Sequence, residues 1–181
     1  MRSLIDSKIG DNQKSTCINW SMVVPLKIRC FIWRALLDRI SVANNLERRG
    51  ILVKSNLCPL CSAETESTDH LLIKCRVATE ARDWIMKWCG TSNRQFNGVA
   101  EFLDFAAKWG HCPRKKERFN AIAYGLLWCI WLARNDKVFK EKRCYAARIA
   151  DETISQTYSW FKFRKKCTIE RWVDWSVSPF C

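Results

Sequence analysis

The sequence has no apolar run long enough to cross a bilayer. Its longest apolar stretch, residues 121–133, falls short of the roughly 20 residues that a membrane-spanning helix needs. Residues 1–10 contain no apolar core of the length found in signal peptides. We therefore expect an intracellular protein, in the nucleus or the cytoplasm, with no membrane partner.

The sequence also lacks the residue patterns of the common catalytic sites. It contains no two consecutive aspartates, so the aspartate pair that holds the two catalytic metal ions of a polymerase cannot be assigned. We find neither the spaced carboxylates of a ribonuclease H site nor a local Ser/His/Asp or Cys/His arrangement. His111 and Cys112 are adjacent, but no further ligand follows at a suitable spacing. We therefore predict that this chain is not an enzyme.

Segments that alternate apolar and polar residues with period two are few, and we find no internal repeat. Apolar residues instead recur at helical spacing after Pro25, over residues 77–88, after Pro113 and over residues 145–163. Proline is common in the first turn of a helix. We also predict that Ser41 caps a short second helix, since serine is a frequent N-cap residue. These patterns indicate a mainly α protein.

Among the eleven cysteines and two histidines, one group has the spacing of a metal site. Cys58 and Cys61 form a C-x2-C pair, His70 follows after eight residues, and Cys75 follows after four more. Four such ligands leave no open coordination position, which is typical of a structural zinc site. We predict one structural Zn²⁺. The alternative is that these are ordinary reduced cysteines, but the other cysteines are scattered singly, with no C-x2-C pair among them.

The predicted fold class is therefore a mainly α structure, a helical domain with an inserted Cys2HisCys zinc loop followed by a C-terminal helical segment. We place the zinc-binding domain at residues 20–90 and the helical C-terminal region at residues 98–166. Residues 1–19 and 167–181 are predicted to be tails.

The residues around the predicted zinc site resemble a known family, the zinc-binding domain of plant non-LTR retrotransposon reverse transcriptases. The resemblance rests on PLKIRCFIWR at residues 25–34, LERRG at 46–50, CPLC at 58–61 and ESTDHLL at 66–72, followed by Cys75 and Trp84. Further on, WCIWLARN at residues 128–135 is similar to a segment that often follows this domain. The resemblance implies a zinc-finger accessory region of an RNA-directed DNA polymerase. The polymerase itself would lie outside this chain.

Positive charge is concentrated on both sides of the predicted zinc loop. The chain carries a formal charge of +13, yet residues 54–87 contain five basic and five acidic side chains. Residues 1–49 hold nine basic against four acidic side chains, and residues 108–148 hold eleven against three. A polyanionic partner is expected to bind such flanking segments. The candidate phosphate contacts are Arg29, Arg34, Arg48, Arg49, Lys115, Lys116 and Arg118.

Tryptophan side chains can stack on nucleic-acid bases, but at helical spacing they are more often part of a core. We expect core positions for Trp33, Trp84, Trp128 and Trp131. The leading functional hypothesis is a zinc-stabilised nucleic-acid-binding accessory domain without polymerase activity, whose partner is RNA or DNA and whose neighbour is a polymerase domain of the parent element. The alternatives are a zinc-dependent protein-interaction module and a non-functional remnant of a retroelement.

Overall fold

The computed structural model describes residues 21–165 and 171–180. Within these ranges the elements are α1 (Leu26–Leu36), α2 (Ala43–Glu47), a π-helical turn (His70–Lys74), α3 (Arg76–Trp88), α4 (Val99–Lys108), α5 (Pro113–Lys140), α6 (Ala146–Arg164) and α7 (Trp172–Val177). The same ranges contain no β-strand, only a single antiparallel bridge between Leu57 and Thr65. The prediction of a mainly α fold is confirmed. None of the described helices combines the length and apolarity that a bilayer crossing requires.

Helix α5 is the centre of the structure, and it contacts α1, α3, α4 and α6. Its residues 119–127 are all buried, so this part of the helix is covered on every side. Gly125 lies where α6 approaches most closely, since a Cβ atom there would come within 2.8 Å of Cγ2 of Thr157. The absence of a side chain at Gly125 therefore lets α5 and α6 pack in direct contact.

Helix α1 precedes the zinc loop in the sequence and packs against the same core. Phe31 packs against Trp128 and Trp131 of α5, with ring centroids 5.3 and 5.8 Å apart. The buried side chains before and after the zinc loop thus form one hydrophobic core. The boundary that we placed between residues 90 and 98 stays a prediction.

The start of α2 differs from our prediction, because Val42 rather than Ser41 occupies the N-cap position and no side chain of its own caps the helix. The backbone N–H of Ala43 instead donates a 2.8 Å hydrogen bond to Oε2 of Glu66, which comes from the zinc loop. The carboxylate both accepts this hydrogen bond and suits the positive end of the helix dipole. A residue distant in sequence therefore replaces the expected local cap.

Helix α7 lies within residues 167–181, which we expected to be a tail. Trp175 is fully buried, its indole Nε1 donates to the carbonyl of Ile154 at 3.1 Å, and its own carbonyl accepts from Nε1 of Trp88. This aromatic anchor holds α7 against α3 and α6. Residues 166–170 and 181 lie outside the described ranges, as does the predicted tail at residues 1–19.

The tryptophans are divided between core and surface. Trp128 and Trp131 pack against the core as expected. Trp33 and Trp84 are 42% and 54% exposed, so the prediction of core positions was wrong for these two. Helical spacing places a side chain on one face of a helix, but a neighbouring element must cover that face before the side chain is buried.

Candidate metal centre

The two cysteines of the C-x2-C pair lie in a tight turn between residues 56 and 66. The backbone N–H of Cys58 donates to the carbonyl of Glu64 at 2.7 Å, and the N–H of Ser62 donates to the carbonyl of Cys58 at 2.8 Å. Ser62 has a φ of 55°, a left-handed conformation that reverses the chain directly after Cys61. These bonds bring both thiols to the same side of the turn.

The other two ligands are joined by the π-helical turn His70–Lys74. The backbone N–H of Cys75 donates to the carbonyl of His70 at 2.7 Å, five residues earlier, which is the hydrogen bond that defines a π-helix. This turn brings His70 and Cys75 to one side of the helix. Our sequence analysis placed no helix here. The five-residue spacing of His70 and Cys75 was the only local indication of a π-helical turn.

The ligand atoms of Cys58, Cys61, His70 and Cys75 all lie within 4.8 Å of one another. The Sγ atoms of Cys58 and Cys75 are 3.8 Å apart, and Sγ of Cys61 is 3.4 Å from Nε2 of His70. Bonds of about 2.3 Å from zinc to sulfur and about 2.0–2.1 Å to nitrogen give tetrahedral edges of roughly 3.5–3.8 Å. The four side chains can therefore hold one zinc ion, as predicted.

The thiols of Cys58 and Cys75 influence each other because they share a hydrogen bond. Donation of this bond to Cys75, together with burial, raises the pKa of Cys58. Acceptance of the same bond lowers the pKa of Cys75. Two thiolates this close would repel each other, and a dication between them removes that repulsion. The chemistry of the site therefore fits a metal ion better than it fits free thiols.

Glu64 is a residue of the site that our sequence analysis missed. Its Oε2 lies 3.1 Å from Nδ1 of His70, on the side of the ring opposite to the ligand atom Nε2. The two atoms are close but do not have hydrogen-bond geometry. A carboxylate that hydrogen-bonds to this nitrogen orients a metal-binding imidazole, so a small rotation of Glu64 would give it that role. Because Glu64 is largely exposed, solvent screens this contact.

Three further side chains between Cys61 and His70 attach the zinc loop to the surrounding helices. Glu66 is almost fully buried and binds Arg134 of α5 as well as the start of α2. Asp69 accepts a 2.8 Å hydrogen bond from the backbone N–H of Val99, the first residue of α4. Thr68 donates to Oδ1 of Asp38 at 2.5 Å, in the turn after α1. The loop thus contacts four parts of the helical core.

Comparison with known families places this site in context. Residues 3–81 match the family described as zinc-binding in reverse transcriptase, and this segment contains all four ligands. This segment is similar to the zinc-binding domains of reverse transcriptases. The resemblance that we inferred from the sequence is confirmed, whereas the plant non-LTR origin stays a prediction.

The match covers the zinc-binding domain and includes no polymerase or ribonuclease H domain. Helices α4 to α7 lie beyond the matched residues. Searches of curated proteins and of solved structures found no match.

The candidate phosphate contacts lie in different surroundings. Arg29 is buried in α1, and Arg118 donates to the carbonyl of Pro179 at 2.6 Å. Arg48 pairs with Asp38, while Arg34 and Arg49 each donate to the carbonyl of Arg39. Lys115 and Lys116 are exposed at the start of α5.

Proposed function

We propose that this chain is a nucleic-acid-binding accessory domain whose zinc site has a structural role and which has no polymerase activity of its own. The charge distribution is the observation that carries the proposal. The zinc loop region is balanced in charge, and the excess positive charge lies in the segments before and after it. The partner that fits such a surface is the phosphate backbone of RNA or DNA.

Exposed cations are grouped in the first turn of α5. Arg114, Lys115 and Lys116 are exposed there, and the turn contains no acidic residue. No carboxylate in the described part of the chain pairs with any of the three. Cations at the N-terminus of a helix are opposed by the helix dipole, so they do not help the helix to form. A bound phosphate would neutralise them and would also accept hydrogen bonds from the first backbone N–H groups.

The zinc loop supports this surface indirectly. Glu66 binds α5 through Arg134, and Asp69 binds the start of α4, which is the helix before α5. Metal binding fixes the conformation of the loop and therefore the positions of these two carboxylates. In this proposal the zinc ion orders the helices that bind nucleic acid, and it takes no part in a reaction.

The test is a binding titration of the zinc-loaded protein against labelled RNA and DNA at several salt concentrations. Arg114→Ala/Lys115→Ala/Lys116→Ala should weaken binding to all sequences and flatten the log–log salt dependence by about one unit for each phosphate that is no longer neutralised. The control is Lys74→Ala/Arg76→Ala, which removes two exposed cations beside the zinc ligands, and the effects are compared per cation removed. A larger effect of the control variant would contradict the proposal. Nucleotide incorporation by the wild-type chain in a primer-extension assay would contradict the absence of polymerase activity.

A second candidate function is a protein-interaction module, and one feature of α1 favours it. Leu26, Cys30 and Trp33 recur at helical spacing and are all exposed, with Leu26 at 60%. An exposed apolar face of this kind is a possible contact for another protein, including an adjoining polymerase domain. Binding to such a partner should depend much less on salt than binding to nucleic acid does.

A further inference from the structure

The outer surface at the end of α6 and the start of α7 carries aromatic side chains that are partly or largely exposed. Phe163 is 78% exposed and Trp172 is 44% exposed, while Tyr158 lies half-buried between them. We call Tyr158, Lys162, Phe163 and Trp172 the α6–α7 aromatic surface. None of these residues belongs to the segment matched by the zinc-binding family.

The members of the surface contact one another in series. Trp172 meets Tyr158 edge to face with ring centroids 5.1 Å apart. Nζ of Lys162 lies 5.4 Å from the ring centroid of Tyr158 and 5.7 Å from that of Phe163. These groups form a strip in which Trp172 and Tyr158 are in direct contact and the ammonium group of Lys162 lies between Tyr158 and Phe163.

The strip is held in place by the protein core. Trp175, one helical turn after Trp172, is fully buried and contacts Phe161 of α6 at a centroid distance of 5.5 Å. Trp172 thus lies on a short helix that Trp175 anchors, and both rings contact Tyr158. A rigid aromatic platform loses little conformational entropy when a ligand stacks on it.

Basic side chains lie around the strip, and most of them already have a partner. Arg164, Lys165 and Arg171 flank it, and of these Lys165 pairs with Glu117 and Arg171 pairs with Asp174. Lys162 has no carboxylate partner within the described ranges, and its ammonium group contacts only the two rings. A lysine held in this way stays available for an anion.

We propose that the α6–α7 aromatic surface binds single-stranded nucleic acid, with bases stacked on Phe163 and Trp172 and a phosphate beside Lys162. This inference rests on the proposed function and specifies its ligand. Exposed aromatic rings interleaved with cations are the usual means of binding unpaired bases, because every base has a face that can stack. Paired bases are already stacked within a duplex, so the rings favour single strands.

The experiment measures binding of the zinc-loaded full chain to fluorescently labelled oligo-dT, oligo-rU and a duplex of the same length. Phe163→Ala and Trp172→Ala should each weaken single-strand binding about five-fold or more, as expected when one base no longer stacks. Duplex affinity and the salt dependence should change little, because neither substitution removes a charge. Lys162→Ala should flatten the salt dependence instead.

Matched controls separate stacking from general apolarity. Phe139 is 75% exposed at the end of α5, and the nearby Lys140 and Lys142 are paired with Asp136. Trp84 is 54% exposed on α3. Phe139→Ala and Trp84→Ala should leave single-strand binding within about two-fold of the wild type. Phe163→Tyr should keep the affinity, and Phe163→Leu should lose it as fully as Phe163→Ala does.

The outcomes distinguish this inference from the proposed function. If the wild type binds single strands and the Phe163 and Trp172 variants match the controls, the inference is overturned, and the surface is left as an apolar contact for another protein. Retained binding by Phe163→Leu would also overturn it, because a leucine cannot stack. If the wild type binds no oligonucleotide, the proposed function fails together with the inference.

Discussion

Arg134 of α5 donates two hydrogen bonds to the carboxylate of Glu66 in the zinc loop, from Nε to Oε1 at 2.7 Å and from Nη2 to Oε2 at 2.8 Å. Both side chains are buried, and 68 residues separate them in the sequence. Glu66 lies inside the segment matched by the zinc-binding family and Arg134 lies outside it. The pair therefore joins the zinc-binding domain to the helix that forms the centre of the fold.

Breaking this pair should destabilise the protein strongly. We expect Arg134→Met to lower the free energy of unfolding of the zinc-loaded protein by about 3–5 kcal/mol, because Glu66 would remain buried without its partner. Urea unfolding followed by circular dichroism measures the change. Arg148→Met is the control, since it removes an exposed ion pair with Glu152 and should cost about 0–1 kcal/mol. Similar losses of stability in the two variants would show that the buried pair has no special role.

The purified protein should contain about one zinc ion per chain, as four clustered ligands with no open position would bind it. Cys61→Ser and His70→Ala should each lose most of this metal, because each removes one of the four ligands. Inductively coupled plasma mass spectrometry gives the zinc content. Cys30→Ser, which changes an exposed cysteine of α1, should keep full occupancy. Full occupancy in the two ligand variants would contradict the site.

Removal of zinc should loosen helices that contain no zinc ligand. The backbone N–H groups of Ala43 and Val99 donate to Glu66 and Asp69, whose positions depend on the folded loop. After chelation we expect both amides to exchange with deuterium at least about tenfold faster, since their acceptors are no longer held in place. Hydrogen exchange followed by mass spectrometry or NMR tests this. Unchanged protection of α2 and α4 would mean that the metal orders only the loop.

Cysteine labelling should reveal two classes of thiol in the zinc-loaded protein. Burial raises the pKa of Cys129 to about 12 and also raises the pKa of Cys89, so both remain neutral thiols at about pH 8. Cys30 and Cys112 are exposed and should react with iodoacetamide. Peptide mapping should show modified Cys30 and Cys112 and unmodified Cys89 and Cys129, even when the pH is raised to about 9. Denaturation should make all four reactive, and rapid labelling of Cys129 in the native protein would contradict its burial.

The zinc ligands could be predicted from the sequence because their identity and spacing are local properties. A C-x2-C pair and a nearby histidine and cysteine predict a metal site whatever surrounds them. The helices could be predicted for the same reason, since the period of apolar residues depends only on neighbours along the chain. The π-helical turn at His70–Lys74 was missed. Its hydrogen bond accompanies the convergence of His70 and Cys75 in the fold, and the period of apolar residues does not reveal that convergence.

The sequence by itself therefore determined the helices, the zinc ligands and the uneven distribution of charge. The tertiary structure alone decided which side chains contact one another across different helices and the zinc loop. Glu66 binds Arg134, Trp33 remains exposed while Trp128 packs against Phe31, and Trp172 contacts Tyr158. Each of these relationships joins side chains that are distant in the sequence or depends on whether another helix covers one face. Helical periodicity contains no information about either condition.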